Sequence, residues 1–191
     1  MSEIGNKFDN LSDKELTIIK AVPLMAALSN VNITRNLGEY LIVIDGKMVS
    51  EILGIGNLYI YKGNKLEMSI VANSGGFGSG APPNGEYTTH TYRDRTEAGS
   101  YSKGMNKNGV GFSFNIDPQF STKRSLLRIH PDGNNKGTLG CVGLSGSKKE
   151  LTSIRDKINE ILKTQKSIKT KINIDGNPNN HIPPSGATPN E

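Results

Sequence analysis

The 191-residue chain holds one cysteine, Cys141, and no tryptophan. A lone cysteine excludes an internal disulfide framework and any multi-cysteine metal centre, so it has to be explained singly. The three histidines, His90, His130 and His181, show neither HExxH nor HxxxH spacing, so a zinc hydrolase has no support and no cofactor is expected. Long hydrophobic runs are also missing. The nearest, Leu16 to Leu28, is broken by Lys20 and Pro23 and is too short for a bilayer, so no transmembrane segment is expected. The stretch before it carries Glu3, Asp9, Asp13 and Glu15 against Lys7 and Lys14, whereas a secretory leader needs a basic start. Apolar residues make up 34% of the chain, enough for one compact core with some chain left outside it.

Twenty-three basic against 18 acidic residues leave a net charge of +5, which favours anionic partners without choosing among them. Only Lys163 to Lys171 is densely basic. It reads as a solvated helix end and strand edge, and with no aromatic residues among the lysines to stack bases, nucleic acid is not an expected partner.

Along the chain, Ser12 or Asp13 can cap a helical arm through Leu16, Ile19 and Ala26, kinked at Pro23. Residues 39–45 and 48–53 read as two strands around an Asp45-Gly46 turn. A second hairpin, with one face wet, pairs 58–62 with 65–71 across Gly63-Asn64. Ser74 to Gly80 is glycine-rich but lacks the Lys-Ser/Thr and the helix that a phosphate loop requires. Tyr87 to Tyr101 reads as strand ends plus a lid-like loop. Gly111 to Ile116 alternates, and Ser125 to His130 reads as a strand delivering His130 at its end. Ser147 and Glu150 form a capping box for a helix whose Leu151, Ile154, Ile158, Ile161 and Leu162 line one face. Ile168 to Ile174 is a last strand. The expected organisation is an arm and hairpin over 1–53, a catalytic domain over 54–174 and a mobile tail over 175–191.

The chemistry lies in the run from Arg128 to Leu144. His130 and Cys141 stand either side of a loop with Gly133, Gly137 and Gly140, which lets the chain fold back and bring imidazole to sulfur. A neutral thiol is a poor nucleophile, and a neighbouring imidazole that takes its proton makes a thiolate–imidazolium pair. Gly140 permits a sharp turn whose N–H groups could face a developing oxyanion. A buried, inert cysteine is the alternative, disfavoured by the flanking Gly140 and Gly143 and by the Pro-Asp-Gly turn after His130.

His130-Pro-Asp-Gly133 followed by Gly137-Thr-Leu-Gly-Cys-Val-Gly-Leu144 resembles the HxxG...S/TxGC signature of L,D-transpeptidase (YkuD-like) catalytic domains. Tyr59 to Leu66, and Asn73-Ser-Gly followed by Pro83-Asn-Gly-Glu-Tyr87, resemble the family's upstream segments in the right order. The Ile-His-Pro-Asp-Gly-Asn form with Gly-Cys-Val-Gly-Leu is similar to the L,D-transpeptidase effectors of type VI secretion. The resemblance implies a mainly β, α+β catalytic domain of sandwich or barrel type, with the N-terminal arm and one C-terminal helix. It further implies that Cys141 attacks a tetrapeptide stem of peptidoglycan and expels D-alanine. His130 would act as base and then acid, its other nitrogen held by a backbone carbonyl or by Asp132. Thr138 and Gly133 would steady the loop, and Gly140 would form the oxyanion turn. Implied too are synthesis in a bacterial cytoplasm, action in a target cell's periplasm, contact with a secretion-machine component and a cognate immunity protein.

One departure matters. Many family members carry arginine two positions after the cysteine, where this chain has Gly143. Substrate grip then falls to other residues. Arg128 is a candidate, equally readable as structural, and His90 and Tyr92 either line the cleft or are solvated strand residues. A catalytically silent wall-binding module is the competing reading, against which the intact His130 and Cys141 speak.

Overall fold

The computed structural model describes residues 38–97, 103–133 and 136–179. The expected helical arm, His181, the end of the tail and the far part of the expected lid lie outside the described residues. The elements are β1 (Tyr40–Met48), β2 (Leu53–Lys62), β3 (Lys65–Gly75), β4 (Gly85–Asp94), β5 (Asn106–Lys107), β6 (Val110–Pro118), β7 (Arg128–Pro131), β8 (Val142–Ser145), α1 (Lys148–Thr164) and β9 (Ile168–Asp175). Eight strands close into a barrel in the order β4-β9-β1-β2-β3-β8-β7-β6, with β6 returning to β4, while β5 forms a short hairpin on β6. The described fold is mainly β with a single helix, and closure removes the unpaired edges that an open sheet exposes.

Asp45-Gly46 is not a turn. β1 runs through it, pairing with β2 from Tyr40–Lys62 to Met48–Gly54, and the reversal falls at residues 49–52. Gly46 stands opposite Gly56, and a Cβ on Gly46 would lie 2.9 Å from the Gly56 Cα, so the glycine serves close backbone approach rather than chain reversal. β1 is therefore barrel wall, and the boundary expected at residue 53 falls on the first residue of β2.

The Gly63-Asn64 hairpin forms as expected, but β2 has no wet face. Its inward Leu58 and Ile60 join the barrel core. Its outward Tyr59 and Tyr61 bury their rings with Leu41 and Val43, because a tyrosine counted as polar still removes a large apolar ring from water. Of the stretch from Tyr87 to Tyr101, expected as strand ends plus a lid-like loop, residues 87–94 belong to a full strand, β4, that ties β9 to β6. β9 alternates as expected, with Ile168, Thr170, Ile172 and Ile174 buried, yet it is an interior strand between β4 and β1 and not an edge. The tail is also held further than expected. Asn177 is buried and donates to the Pro82 carbonyl, and Asn179 donates to those of Ser79 and Ala81.

The helix begins where its capping box requires. Ser147 Oγ accepts from Glu150 N–H at 3.3 Å, and the Ser147 N–H donates to the Glu150 carboxylate at 2.8 Å. Leu151, Ile154, Ile158 and Ile161 are buried in the same cluster as Phe112, Phe114, Ile129, Val142 and Leu144, while Leu162 is only partly covered. Burial of these side chains, each worth about 2 kcal/mol, fixes β7 and β8 side by side on a rigid floor.

Candidate functional site

β7 and β8 are parallel neighbours, with Ile129 opposite Val142 and His130 opposite Gly143. Ile129, Val142 and Leu144 point into the core, so the alternation of strand side chains sends Arg128, His130 and Cys141 to the other face. All three line one cavity of about 660 Å³, together with Phe77, Met105, Arg124, Leu126 and Leu139. His130 on β7 and Cys141 at the end of the loop leading into the parallel β8 thus bring imidazole and thiol into one cleft.

His130 is almost fully buried, and its Nδ1–H donates to the Pro131 carbonyl at 2.7 Å. That bond settles between the two expected orienting groups: the carbonyl holds the ring, and Asp132 does not. It assigns the proton to Nδ1 and leaves Nε2 as the basic nitrogen. Burial pushes the imidazole pKa down to about 4. Arg128 and Arg95 push the same way, and the carbonyl bond opposes them. Burial likewise raises the Cys141 thiol, against the backbone bond at Arg128 and the charges of Arg128 and Arg124. The resting pair is therefore neutral thiol and neutral imidazole, not the ion pair expected from the sequence. Desolvation disfavours both charged forms, and an arginine beside the ring adds to the cost of imidazolium.

Asp132 builds the loop instead. Its carboxylate accepts from Asn73 Nδ2 at 2.7 Å and from Gly137 N–H at 3.2 Å. Gly133 N–H donates to the Gly104 carbonyl, closing the base of the loop. Thr138 Oγ1 is the hub. It donates to the Cys141 carbonyl at 2.6 Å and accepts from the N–H groups of Gly75 and Gly140. Ser74 Oγ donates to the same Cys141 carbonyl at 2.7 Å. The glycine-rich segment after β3 thus serves as a backbone mate for the cysteine loop. Gly140 has φ +112°, a left-handed conformation suited to glycine, and its N–H is engaged with Thr138, so it shapes the turn without offering that donor to an oxyanion.

Thr138→Val is expected to destabilise the protein by about 2 kcal/mol, since it strands the buried N–H groups of Gly75 and Gly140. Thr138→Ser keeps the three bonds and most of the stability. Denaturant midpoints of the two variants check this, and equal midpoints would remove Thr138 from its role.

Gly143 has no room for a side chain. A Cβ there would lie 2.9 Å from both Asn73 Oδ1 and Thr138 Cγ2. The loop that delivers Cys141 occupies the space an arginine would need. His90 and Tyr92 do not reach the cleft. His90 Nε2 bonds Asp117 at 2.7 Å on the barrel exterior, and Tyr92 packs against Phe114 and faces Asp156 and Lys163 of α1. The bulge between these residues in the β4–β6 ladder leaves His90 on the outer side, whereas Tyr92 stands opposite Phe114 and packs against the core.

Sequence reasoning did not single out Arg124, whose guanidinium donates to the Ser79 and Gly80 carbonyls and lies against Gly140. It also missed Leu126, a 75% exposed leucine at φ +58° whose carbonyl is 4.0 Å from the Cys141 sulfur. Positive φ at a leucine costs of order 1 kcal/mol and is concentrated at working sites. Neither residue carries a motif that a sequence could show. Among the described residues, no group of three or more His, Cys, Asp and Glu is placed to hold a metal ion, and no helix is long and apolar enough to cross a membrane. Compared with protein-family models, with curated proteins and with solved structures, the chain returns no match.

Proposed function

We propose that the cleft is a cysteine acyl-transfer site acting on peptide stems of peptidoglycan, as an L,D-transpeptidase or L,D-carboxypeptidase. The observation that carries the reading is the shared cavity of Cys141 and His130, with the His130 Nδ1 proton fixed on a backbone carbonyl. The substrate class rests on the motif resemblance described above.

In this reading, sulfur attacks the stem carbonyl while its proton moves to His130 Nε2, so that charge develops on both groups only as the carbon–sulfur bond forms. Collapse of the tetrahedral adduct breaks the carbon–nitrogen bond, and Nε2 returns the proton to the departing D-alanine amine. Water or a second amine then releases the thioester, giving hydrolysis or exchange. Such depletion of tetrapeptide donors suits an antibacterial effector delivered to a periplasm, and an immunity protein would cover this cleft. Incubation of the full chain with purified tetrapeptide muropeptides is the test. Loss of the terminal alanine supports the enzyme, and unchanged muropeptides that still bind the protein would establish the silent wall-binding module in its place.

A further inference from the structure

We propose that Arg128 is the residue that anchors a substrate carboxylate in this cleft, the specificity determinant of the site proposed above. The inference rests on that reading for the reaction but not for the binding.

Arg128 is the residue before Ile129 on β7 and Cys141 the residue before Val142, where β8 begins, so the two flank the first pair of the β7–β8 ladder from the same end. Their side chains leave the barrel on the same face and line the same cavity. The Arg128 Nε is buried and has no hydrogen-bond partner among the described residues. No ion pair there involves Arg128 or Arg124, and no described aspartate or glutamate lines the cavity. A buried guanidinium N–H without an acceptor is costly unless a ligand completes it. Arg124 is differently placed, its guanidinium already engaged by the Ser79 and Gly80 carbonyls.

The planar fork of an arginine matches a carboxylate. In a peptide whose last bond is cut, the terminal carboxylate lies one residue beyond the attacked carbonyl, the span available between neighbouring strands. Phe77, Leu126 and Leu139, exposed at 41%, 75% and 75%, rim the cavity and suit the organic part of such a ligand better than a bare inorganic anion. Gly143 cannot carry a cation, because the folded loop fills its side-chain space. An arginine on the neighbouring strand supplies the charge from the other side of the sulfur.

The test compares alkylation of Cys141 in the full chain by iodoacetate, which carries a carboxylate, and by iodoacetamide, which does not. Relative to free cysteine, the wild-type rate ratio should favour iodoacetate by about tenfold. The preference should persist from about pH 6 to pH 8, where a neutral His130 contributes no charge. Arg128→Gln should return the ratio to that of free cysteine, and Arg128→Lys should keep part of it. A wild-type ratio equal to free cysteine overturns the proposal, as does a preference that survives Arg128→Gln and vanishes in Arg124→Gln. If the thiol resists both reagents, the Arg128 Nε–H resonance decides: it should shift with N-acetyl-D-alanine and not with the corresponding amide, and equal responses overturn the proposal. Muropeptide turnover without anion preference sinks this inference alone, whereas anion preference without turnover sinks only the reaction.

Discussion

Cys141→Ala is expected to lower alanine release from a tetrapeptide muropeptide by at least about a thousandfold, the scale on which removing a covalent nucleophile leaves only binding and orientation. His130→Asn should cost about as much. Its amide nitrogen can occupy the place of Nδ1 and keep the bond to the Pro131 carbonyl, but it offers no group at the position of Nε2. The two losses should not add, because sulfur and imidazole act on one proton in one step, and the double variant should match the worse single variant. Since the thiol pKa is raised and the imidazole is neutral at rest, the wild type is also expected to lack the high thiolate fraction of an ion-paired cysteine at neutral pH. Single-turnover measurements with isotopically labelled muropeptide check the rates. Full activity in Cys141→Ala would remove sulfur from the chemistry altogether.

How far the site was legible depends on which property each residue expresses locally. Cys141 and His130 stood out because thiol and imidazole are chemically distinctive and the loop between them is rich in glycine. The capping box of α1 was equally plain, because Ser147 and Glu150 act within one turn. What could not be read were relations between distant segments. That Gly46 faces Gly56 follows from the β1–β2 register, so a glycine that looked like a turn proved to be a point of backbone contact. Asn73 is 59 residues from the Asp132 it supports, and Arg124 acts on carbonyls 44 and 45 residues away. His90 and Tyr92 illustrate the reverse error. Their place after the Pro-x-Gly-x-Tyr segment suggested the cleft, but the β4–β6 pairing sets His90 on the exterior beside Asp117 and Tyr92 against the core beside Phe114. The charge state of the pair was also invisible, since it depends on burial by core residues from other strands.

That charge state has a consequence for stability. The folded pKa of His130, at about 4, lies below the ordinary value of 6.5 that the unfolded chain restores. Between these values the unfolded state binds the proton and the folded state does not, so stability rises with pH across the window. The contribution is fully present above about pH 6.5 and is lost as pH falls toward pH 4, a swing of about 3 kcal/mol. Asp132 works in the opposite sense. Its carboxyl is raised by burial, so proton binding favours the folded state and its contribution weakens as pH climbs through the folded pKa. The total curve therefore mixes two slopes, and the difference between wild type and His130→Asn isolates the histidine. In urea titrations the wild type should lose about 3 kcal/mol more than the variant between neutral pH and about pH 4. Parallel curves would mean that the imidazole stays accessible to protons in the folded protein. The base of the proposed chemistry would then titrate near its ordinary value of 6.5, held neutral at pH 7 by its own basicity and not by burial.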